Sequence, residues 1–237
     1  MSHRSSGFGT SSCLTPPLFG TEHLVRGSVY RAESSFAKAL ADYNKGIEIN
    51  PNFPGLFIGR GLTKQHEGDL DGAIADYDQA IRLASKYADA YNYRGHAKMT
   101  KGDLVGALAD LRQYCDLDAK DSGHAYLYIW LIQHQQNKTA EADQELTAYL
   151  AEHPSDWVSK VGEMFLGQIN EADLLAVAAS PNPKLNQSQH CEAWYFIGMK
   201  RLLAGDKVAA ADDFRQCLAT GQKDLPEYML ADVELTH

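Results

Sequence analysis

The chain has 237 residues, 44% of them hydrophobic, and a formal net charge of -9. That length is ample for a buried core, and the composition is ordinary for a globular protein. The acidic balance argues against nucleic acid or an anionic membrane as the main partner, and a solvated acidic surface is sufficient to account for it. No run of about 18 apolar residues is present, so we expect no transmembrane segment.

The first twenty residues are rich in Ser, Gly and Pro and lack hydrophobic periodicity. We predict a disordered leader over residues 1–20. The N-terminus also lacks the apolar core of a signal peptide, so the sequence as written predicts a soluble chain. Cys13 lies in this leader, and the sequence leaves open whether it is modified and whether the N-terminus is native.

Two copies of a 34-residue unit follow each other over residues 54–87 and 88–122. Their landmarks recur with that spacing: Arg60-Gly61 with Arg94-Gly95, Gly68-Asp69 with Gly102-Asp103, and Asp76 with Asp110. Apolar residues at helical spacing lie on both sides of each Gly-Asp pair, which predicts two helices joined by a turn in every unit. One such hairpin cannot bury its apolar face alone, so neighbouring units must stack.

The same unit extends towards both ends of the chain with weaker matches. An earlier copy over residues 21–53 keeps Arg26-Gly27 but has lost the Gly-Asp turn, as expected of a terminal repeat. The later units are a weak copy over 123–156, a shortened one over 157–180, a linker over 181–189, a complete copy over 190–223 and a capping helix over 224–236 that would cover the open end. Residues 21–237 are therefore predicted to form one all-α superhelix of about six helical hairpins plus a C-terminal capping helix.

Small residues mark the facing sides of the two helices in each unit. Gly61 and Ala73 would let the helix axes approach closely, with Phe57 and Tyr77 filling the space beside them. We assign these four residues to hairpin packing.

Charged residues recur at two further positions of the unit. In each of the first three copies an arginine is followed, at one fixed spacing, by an aspartate: Arg26 by Asp42, Arg60 by Asp76, and Arg94 by Asp110. They form either a charged ladder for a ligand or a structural ion pair inside each hairpin. We favour the ion pair, since charges that satisfy one another are the tolerable kind when buried. In the last copy Ile197 replaces the arginine while Asp213 remains, so that pair should be absent there.

The 34-residue helix–turn–helix unit resembles the tetratricopeptide repeat (TPR). In TPR superhelices the first helices line the concave side, which binds peptides. Carried over by repeat position, the resemblance implies a groove for a peptide or partner protein lined by Ile58, Leu62, Gln65, Asp89, Asn92, His96, Met99, Tyr195, Met199 and Leu202. This mixture of apolar and amide side chains suits an extended peptide or a helix.

The carboxylate-clamping variety of TPR places Lys, Asn and Arg at five particular positions. Here those positions hold Leu24, Ser28, Gly59, Asp89 and Tyr93. We therefore expect no binding of chaperone tails.

The order of the units is similar to that of one bacterial family, the new lipoprotein I group of envelope TPR lipoproteins. The segments that carry the similarity are Arg26-Gly27 to Pro51, Arg94-Gly95, Tyr128-Ile129-Trp130-Leu131, Phe165-Leu166-Gly167-Gln168-Ile169, Trp194-Tyr195-Phe196-Ile197-Gly198 to Leu203, and Glu227-Tyr228 to Glu234-Leu235. The resemblance implies an adaptor, commonly dimeric, that presents peptidoglycan hydrolases to a periplasmic protease in the cell envelope. The signal peptide and lipobox of the family are not found in the sequence, where Cys13 follows Thr10-Ser11-Ser12.

No motif in the sequence predicts an enzyme. There is no HExxH, GxSxG, P-loop or dinucleotide-binding glycine motif, and the four cysteines have no metal-ligand spacing. We expect no catalytic residues, no cofactor and no metal. The hypothesis is a non-catalytic protein-binding adaptor; the alternative is a scaffold that associates with itself through Tyr126, Tyr128 and Trp130, which we interpret rather as internal core.

Overall fold

A computed structural model describes residues 20–117, 122–154 and 156–236. The predicted leader, apart from Gly20, lies outside the described residues, and so does Cys13. Within the described ranges the chain forms thirteen α-helices and no strand: α1 Thr21–Ala32, α2 Phe36–Ile49, α3 Pro54–His66, α4 Leu70–Leu83, α5 Ala88–Thr100, α6 Leu104–Leu117, α7 Gly123–Gln135, α8 Thr139–Glu152, α9 Trp157–Phe165, α10 Glu171–Ala178, α11 Pro183–Leu203, α12 Lys207–Ala219 and α13 Pro226–Thr236.

The helices pair in chain order into six helical hairpins, from α1–α2 to α11–α12, and α13 follows the last hairpin. The second helix of each of the first three hairpins packs on the first helix of the next hairpin. Further along, α9 packs against both α7 and α8, and α11 contacts α7, α9 and α10. The prediction of an all-α superhelix of stacked hairpins is confirmed.

Each of these hairpins turns at a residue in the left-handed backbone region. Gly68, Gly102 and Gly205 hold this position with φ of 82°, 80° and 85°, a conformation that glycine adopts at little cost. Ser34 and Asn137 take it in two divergent hairpins, with φ of 55° and 60°. The divergent units therefore keep the turn geometry after losing the glycine.

Helix approach inside the hairpins depends on a glycine that faces an aromatic ring. A Cβ added to Gly61 would lie 2.7 Å from Cε1 of Tyr77, and one added to Gly198 would lie 2.6 Å from Cε1 of Phe214. At Gly95 the facing residue is Leu111, whose Cγ would be 3.3 Å away. The predicted role of Gly61 in close helix packing is confirmed. The space for a side chain at this glycine position is smallest where the facing residue is aromatic.

The arginine and aspartate of each unit form the predicted ion pair between the two helices of a hairpin. Arg60 donates from Nε and Nη2 to the two carboxylate oxygens of Asp76, at 2.9 and 2.6 Å. Arg94 holds Asp110 in the same two-pronged way, at 2.8 and 2.5 Å. The aspartate side chains are almost fully buried, whereas the arginines are partly exposed. These charges are structural, as the sequence analysis favoured.

A second cation supports the same aspartates from one helical turn further along. Lys64 pairs with Asp76 at 2.8 Å, and Lys98 pairs with Asp110 at 2.7 Å. In the last full hairpin the arginine position holds Ile197, so that pair is absent as predicted. Asp213 is nevertheless satisfied, because Arg201 occupies the position of the lysines and binds it at 2.9 Å.

The prediction of a linker over residues 181–189 is wrong. Helix α11 begins at Pro183 and continues without interruption to Leu203. Proline is well suited to the first turn of a helix, where no backbone donor is lost. The side chain of Asn182 caps this turn by accepting hydrogen bonds from the backbone of Lys184 and Leu185. Residues that suggested a break are therefore the start signals of a long helix.

The apolar core is divided unequally along the chain. Three small clusters lie in the first three hairpins, whereas one large cluster extends from Ala107 to Ala231. Tyr128 and Trp130 lie inside the large cluster with exposures of 0% and 4%, and Tyr126 is half-buried. The interpretation of this aromatic group as core is confirmed for Tyr128 and Trp130.

Replacing Gly61 by alanine should destabilise the protein by about 1–3 kcal/mol, because the new methyl group overlaps the Tyr77 ring. The matched control is Gly95→Ala, where Leu111 leaves more room. That variant should be neutral or stabilised by up to about 1 kcal/mol, since alanine is the better helix former. Urea unfolding of both variants measures the difference, and equal effects would contradict the packing argument.

Replacing Asp76 by alanine should cost about 2–3 kcal/mol of unfolding free energy. The change leaves Arg60 and Lys64 without their shared carboxylate, and the expected cost is below that of a fully buried pair because both cations are about one-fifth exposed. The control is Asp71→Ala. Asp71 lies in the same helix as Asp76 but forms only a surface ion pair, with Lys101, so its loss should change stability by less than about 1 kcal/mol. Thermal melts of the two variants check this; an unchanged Asp76→Ala melt would refute the structural role.

Candidate protein-binding site

Helix α13 packs back against the first helices of earlier hairpins and does not merely cover the open end of the stack. It contacts α5, α11 and α12. Leu230 and Ala231 of this helix are buried, with exposures of 5% and 0%. Near its start, the hydroxyl of Tyr128 on α7 donates a hydrogen bond to the carboxyl of Glu227, which is 2% exposed. Helix α13 thus lies against elements of the third, fourth and sixth hairpins.

An open cleft of about 560 Å³ separates α13 from the turns of the first three hairpins. We call it the main cleft; its lining residues are Arg31, Ser34, Phe36, Gln65, His66, Gly68, Leu70, Thr100, Lys223, Asp224, Tyr228, Met229, Asp232 and Val233. One wall belongs to residues 31–100 and the other to residues 223–233. Both apolar and charged side chains line the main cleft, and its volume lies in the range that is usual for ligand sites.

Arg31 is the least satisfied charged group of the main cleft. Its Nε is buried and has no hydrogen-bond partner among the described residues. Burial raises the pKa of Tyr93, and the charge of Arg31 opposes that rise, so the guanidinium lies near this ring inside the hairpins. Burial and the charge of Arg31 together lower the pKa of His66. A buried guanidinium donor without an acceptor suits an incoming anionic or carbonyl oxygen.

A smaller cavity of about 260 Å³ lies at the start of α13. We call it the small cavity; it is lined by Asn92, His96, Tyr114, His124, Ala125, Tyr128, Glu192, Leu225, Pro226 and Glu227. Glu192 is already well satisfied there. Nε2 of His124 lies 2.9 Å from its Oε2, and Nε1 of Trp157 donates to the same oxygen at 2.6 Å. Burial disfavours protonated His124, but the hydrogen bond and charge of Glu192 outweigh it and raise the pKa of His124.

Burial shifts the pKa of two other titratable groups of the small cavity towards the neutral form. Burial, followed by the nearby charge of Glu192, raises the pKa of Glu227 to about 7. Burial, followed by the charge of His124, lowers the pKa of His96 to about 4. The His96 ring meets Tyr128 edge-on, with centroids 4.7 Å apart, and its Nδ1 has no hydrogen-bond partner. The small cavity therefore combines a poorly compensated carboxyl group with an unused imidazole nitrogen.

The ten residues predicted for the groove do not share one surface. Gln65 lines the main cleft, and Asn92 and His96 line the small cavity. The others line neither: Ile58, Tyr195 and Met199 are buried, Leu62, Met99 and Leu202 are half-buried, and Asp89 is exposed. A binding role for this set stays a prediction.

The three buried residues do not lie on an open groove, which is where we had expected them. Tyr195 and Met199 are on α11, which α10, α12 and α13 cover. Ile58 belongs to an apolar cluster with Ala80 and Ala90, between two stacked hairpins. Repeat position alone missed this covering, because it takes no account of helices that pack outside the regular stack.

Sequence reasoning did not identify Arg31 or the residues of α13 as candidate site residues. Arg31 carried a usable signal, since it occupies the same position of its unit as Gln65 and Met99 occupy in the next two units. The contribution of Lys223, Tyr228 and Asp232 had no such signal. It depends on the direction in which α13 folds back, which the regular repeat does not encode.

Two segments match sequence models of the repeat. Residues 23–53 match the tetratricopeptide repeat and residues 66–102 match a TPR repeat model. The chain therefore contains tetratricopeptide repeats, a fold that generally serves as a non-catalytic scaffold for protein interactions. A comparison with curated proteins found no match.

Solved structures share the arrangement of the helices at low sequence identity. A tetratricopeptide repeat protein from Parabacteroides merdae is 16% identical, with a TM-score of 0.59 over 93% of this chain and 86% of that one. The pilF protein of Pseudomonas aeruginosa is 16% identical, with a TM-score of 0.55 over 91% and 97% of the two chains. MamA is 18% identical, with a TM-score of 0.54 over 86% and 93%. These likenesses establish the fold and leave the partner open.

The described residues contain neither a membrane-spanning helix nor a cluster of metal-ligating side chains. None of the thirteen helices is both long enough and apolar enough to cross a bilayer. In the same part of the chain, no group of three or more His, Cys, Asp or Glu side chains is placed to hold a metal ion.

The neutral state of buried His96 predicts an acid sensitivity. The imidazole takes up a proton readily once the chain unfolds, so its contribution to stability is present above about pH 6.5 and is lost as the pH falls towards 4. The wild type should therefore lose about 3 kcal/mol more than His96→Gln between pH 7 and pH 4. Urea unfolding of both proteins across this range gives the two curves; parallel curves would contradict the prediction.

Proposed function

We propose that this chain of tetratricopeptide repeats is a non-catalytic adaptor that holds an extended segment of a partner protein in the main cleft. The observation that carries the proposal is the buried Nε of Arg31, a cationic donor without an acceptor in a cleft of about 560 Å³. Cores rarely leave such a group unused, so an external acceptor is the simplest reason for it.

The lining of the main cleft defines what the partner segment should carry. Phe36, Tyr228 and Val233 offer apolar contact to a side chain of the partner. Arg31, whose buried Nε has no hydrogen-bond partner among the described residues, favours an acidic residue or a terminal carboxylate next to it. An extended segment with an apolar residue beside an acidic one would meet both requirements.

The resemblance to the new lipoprotein I group supplies the first partners to try. We propose peptidoglycan hydrolases and a periplasmic processing protease of the bacterial cell envelope, with the chain acting as a homodimer. Support for this narrower role comes from the order of units between residues 24 and 235 alone. Sedimentation at two concentrations tests the dimer, and binding of purified hydrolases tests the partners.

Self-association without a peptide ligand is the second candidate. It was based on the aromatic residues of the fourth hairpin, yet Tyr128 and Trp130 lie in the core. Their burial removes the surface that this alternative needs, so we rank it below the adaptor.

Reversing the charge of Arg31 should weaken peptide binding by at least about tenfold, because an ion pair in a partly desolvated cleft becomes a repulsion. The wild type is first screened on an array of ten-residue peptides that combine apolar and acidic residues. The best peptide is then titrated by fluorescence anisotropy against wild type and Arg31→Glu.

Arg82→Glu is the matched control for that titration. Arg82 is an exposed arginine that contacts only Gln79 and lies outside the main cleft. Its reversal imposes the same change of net charge and should leave the affinity within about twofold at physiological salt. Equal loss in both variants, or no loss in either, would exclude Arg31 as the recognition group.

A further inference from the structure

We infer that the small cavity is a subsite for one protonated amine, the ammonium group of a lysine side chain in the bound partner segment. The inference rests on the proposed adaptor function, because it names the chemistry of a second contact made by the same partner. The small cavity and the main cleft are both lined by the terminal helix α13: Pro226 and Glu227 line the first, and Tyr228, Met229, Asp232 and Val233 line the second.

Among the described residues, no cation forms an ion pair with Glu227. Its carboxyl group accepts a hydrogen bond from the hydroxyl of Tyr128, and it forms no ion pair with another described residue. His124 forms its ion pair with Glu192, and its charge offsets only part of the effect of burial on Glu227. A carboxylate that is 2% exposed and lacks a paired countercharge is costly, which agrees with the raised pKa of Glu227. A cation entering the small cavity would remove that cost.

His96 supplies an independent reason to expect a hydrogen-bond donor in the same place. The residue is 6% exposed, lines the small cavity and leaves Nδ1 without a partner. Because its pKa is lowered to about 4, the ring is neutral near pH 7. In the tautomer with hydrogen on Nε2, Nδ1 is an acceptor, so it needs a donor from outside.

The acceptors match the three donors of an ammonium group. Glu227 on α13 and both His96 and Asn92 on α5 line the small cavity, and each of these side chains carries a hydrogen-bond acceptor. An ammonium group carries three N–H donors and no acceptor. It would therefore link α13 to α5, and so join the two walls that enclose the partner.

Other occupants fit the small cavity less well. An anion would meet the carboxyl groups of Glu192 and Glu227, and an apolar group would leave Nδ1 of His96 unsatisfied. The volume of about 260 Å³ is several times that of one water molecule, so a side-chain head group has room. The net charge of -9 on the whole chain also favours a cationic partner group.

Titration with n-butylammonium chloride, which copies the end of a lysine side chain, tests the subsite directly. The ring signals of histidine-labelled protein are followed by NMR at pH 7.5 and constant ionic strength, and the His96 signal is assigned by its loss in His96→Gln. We expect a saturable shift of the His96 signal with n-butylammonium and none with n-butanol or sodium butyrate. No saturable shift, or an equal shift with butyrate, would overturn the inference.

Glu227→Gln is the decisive variant, since it keeps the shape of the side chain and the acceptor for Tyr128 but removes the charge. It should bind n-butylammonium at least about tenfold more weakly. Glu48→Gln is the matched control and should keep the wild-type affinity, since Glu48 is an exposed carboxylate on α2 that pairs with Lys45 and lines neither space. Retained affinity in Glu227→Gln would refute the subsite. If that variant melts differently from the wild type, Asn92→Ala replaces it, with the same expected weakening.

The amine titration needs no partner peptide, so its failure can be told apart from failure of the adaptor function. Peptide binding that depends on Arg31, together with no response to n-butylammonium, would overturn the subsite alone. A saturable response that Glu227→Gln abolishes supports the subsite. A peptide selected on the main cleft should then bind more tightly when a lysine is placed on the side that faces residues 225–227.

Discussion

The close approach of two helices across a glycine is the constraint on which the architecture depends. Gly61 lies against the ring of Tyr77, and Gly198 lies against the ring of Phe214, with no space for a methyl group in between. This contact sets the distance between the helices of a hairpin, and that distance brings the buried aspartate of the second helix within reach of the arginine on the first. Apolar packing thus comes first, and the ion pairs are possible because of it.

Stacking of equal units would produce an open superhelix, but the C-terminal half departs from that regularity. The shortened hairpin α9–α10 and the long helix α11 enlarge the core there, and α13 folds back over it. Docking of α13 buries Leu230 and Ala231 together with a carboxyl group, Glu227, that is difficult to bury. The apolar contacts of the helix compensate for that cost, and the acid, which forms no ion pair with another described residue, is left lining a cavity.

Both candidate binding features are consequences of this fold-back. The main cleft needs α13 as its second wall, opposite the turns that include Arg31 and His66. The small cavity needs the start of α13 beside Asn92 and His96 of α5. The main cleft offers the guanidinium of Arg31 and the small cavity offers the carboxyl group of Glu227, so a partner with both an acidic and a basic side chain would complement the pair of sites. Recognition then depends on the terminal helix as much as on the repeats.

The sequence by itself determined the repeat. The order of the helices, their turns, the glycine contacts and the ion pairs of the Arg60–Asp76 type follow from the constant spacing of the units. They do so because each involves neighbours within one hairpin or the next. It also pointed to Asn92 and His96, which share a cavity. Only the tertiary structure decided that Tyr195 and Met199 are covered, that the expected linker is helix α11, and that α13 faces Arg31. The physical reason is distance along the chain. Periodicity describes contacts between adjacent units, whereas the docking of α13 joins segments from opposite ends of the chain through packing that no repeat position specifies.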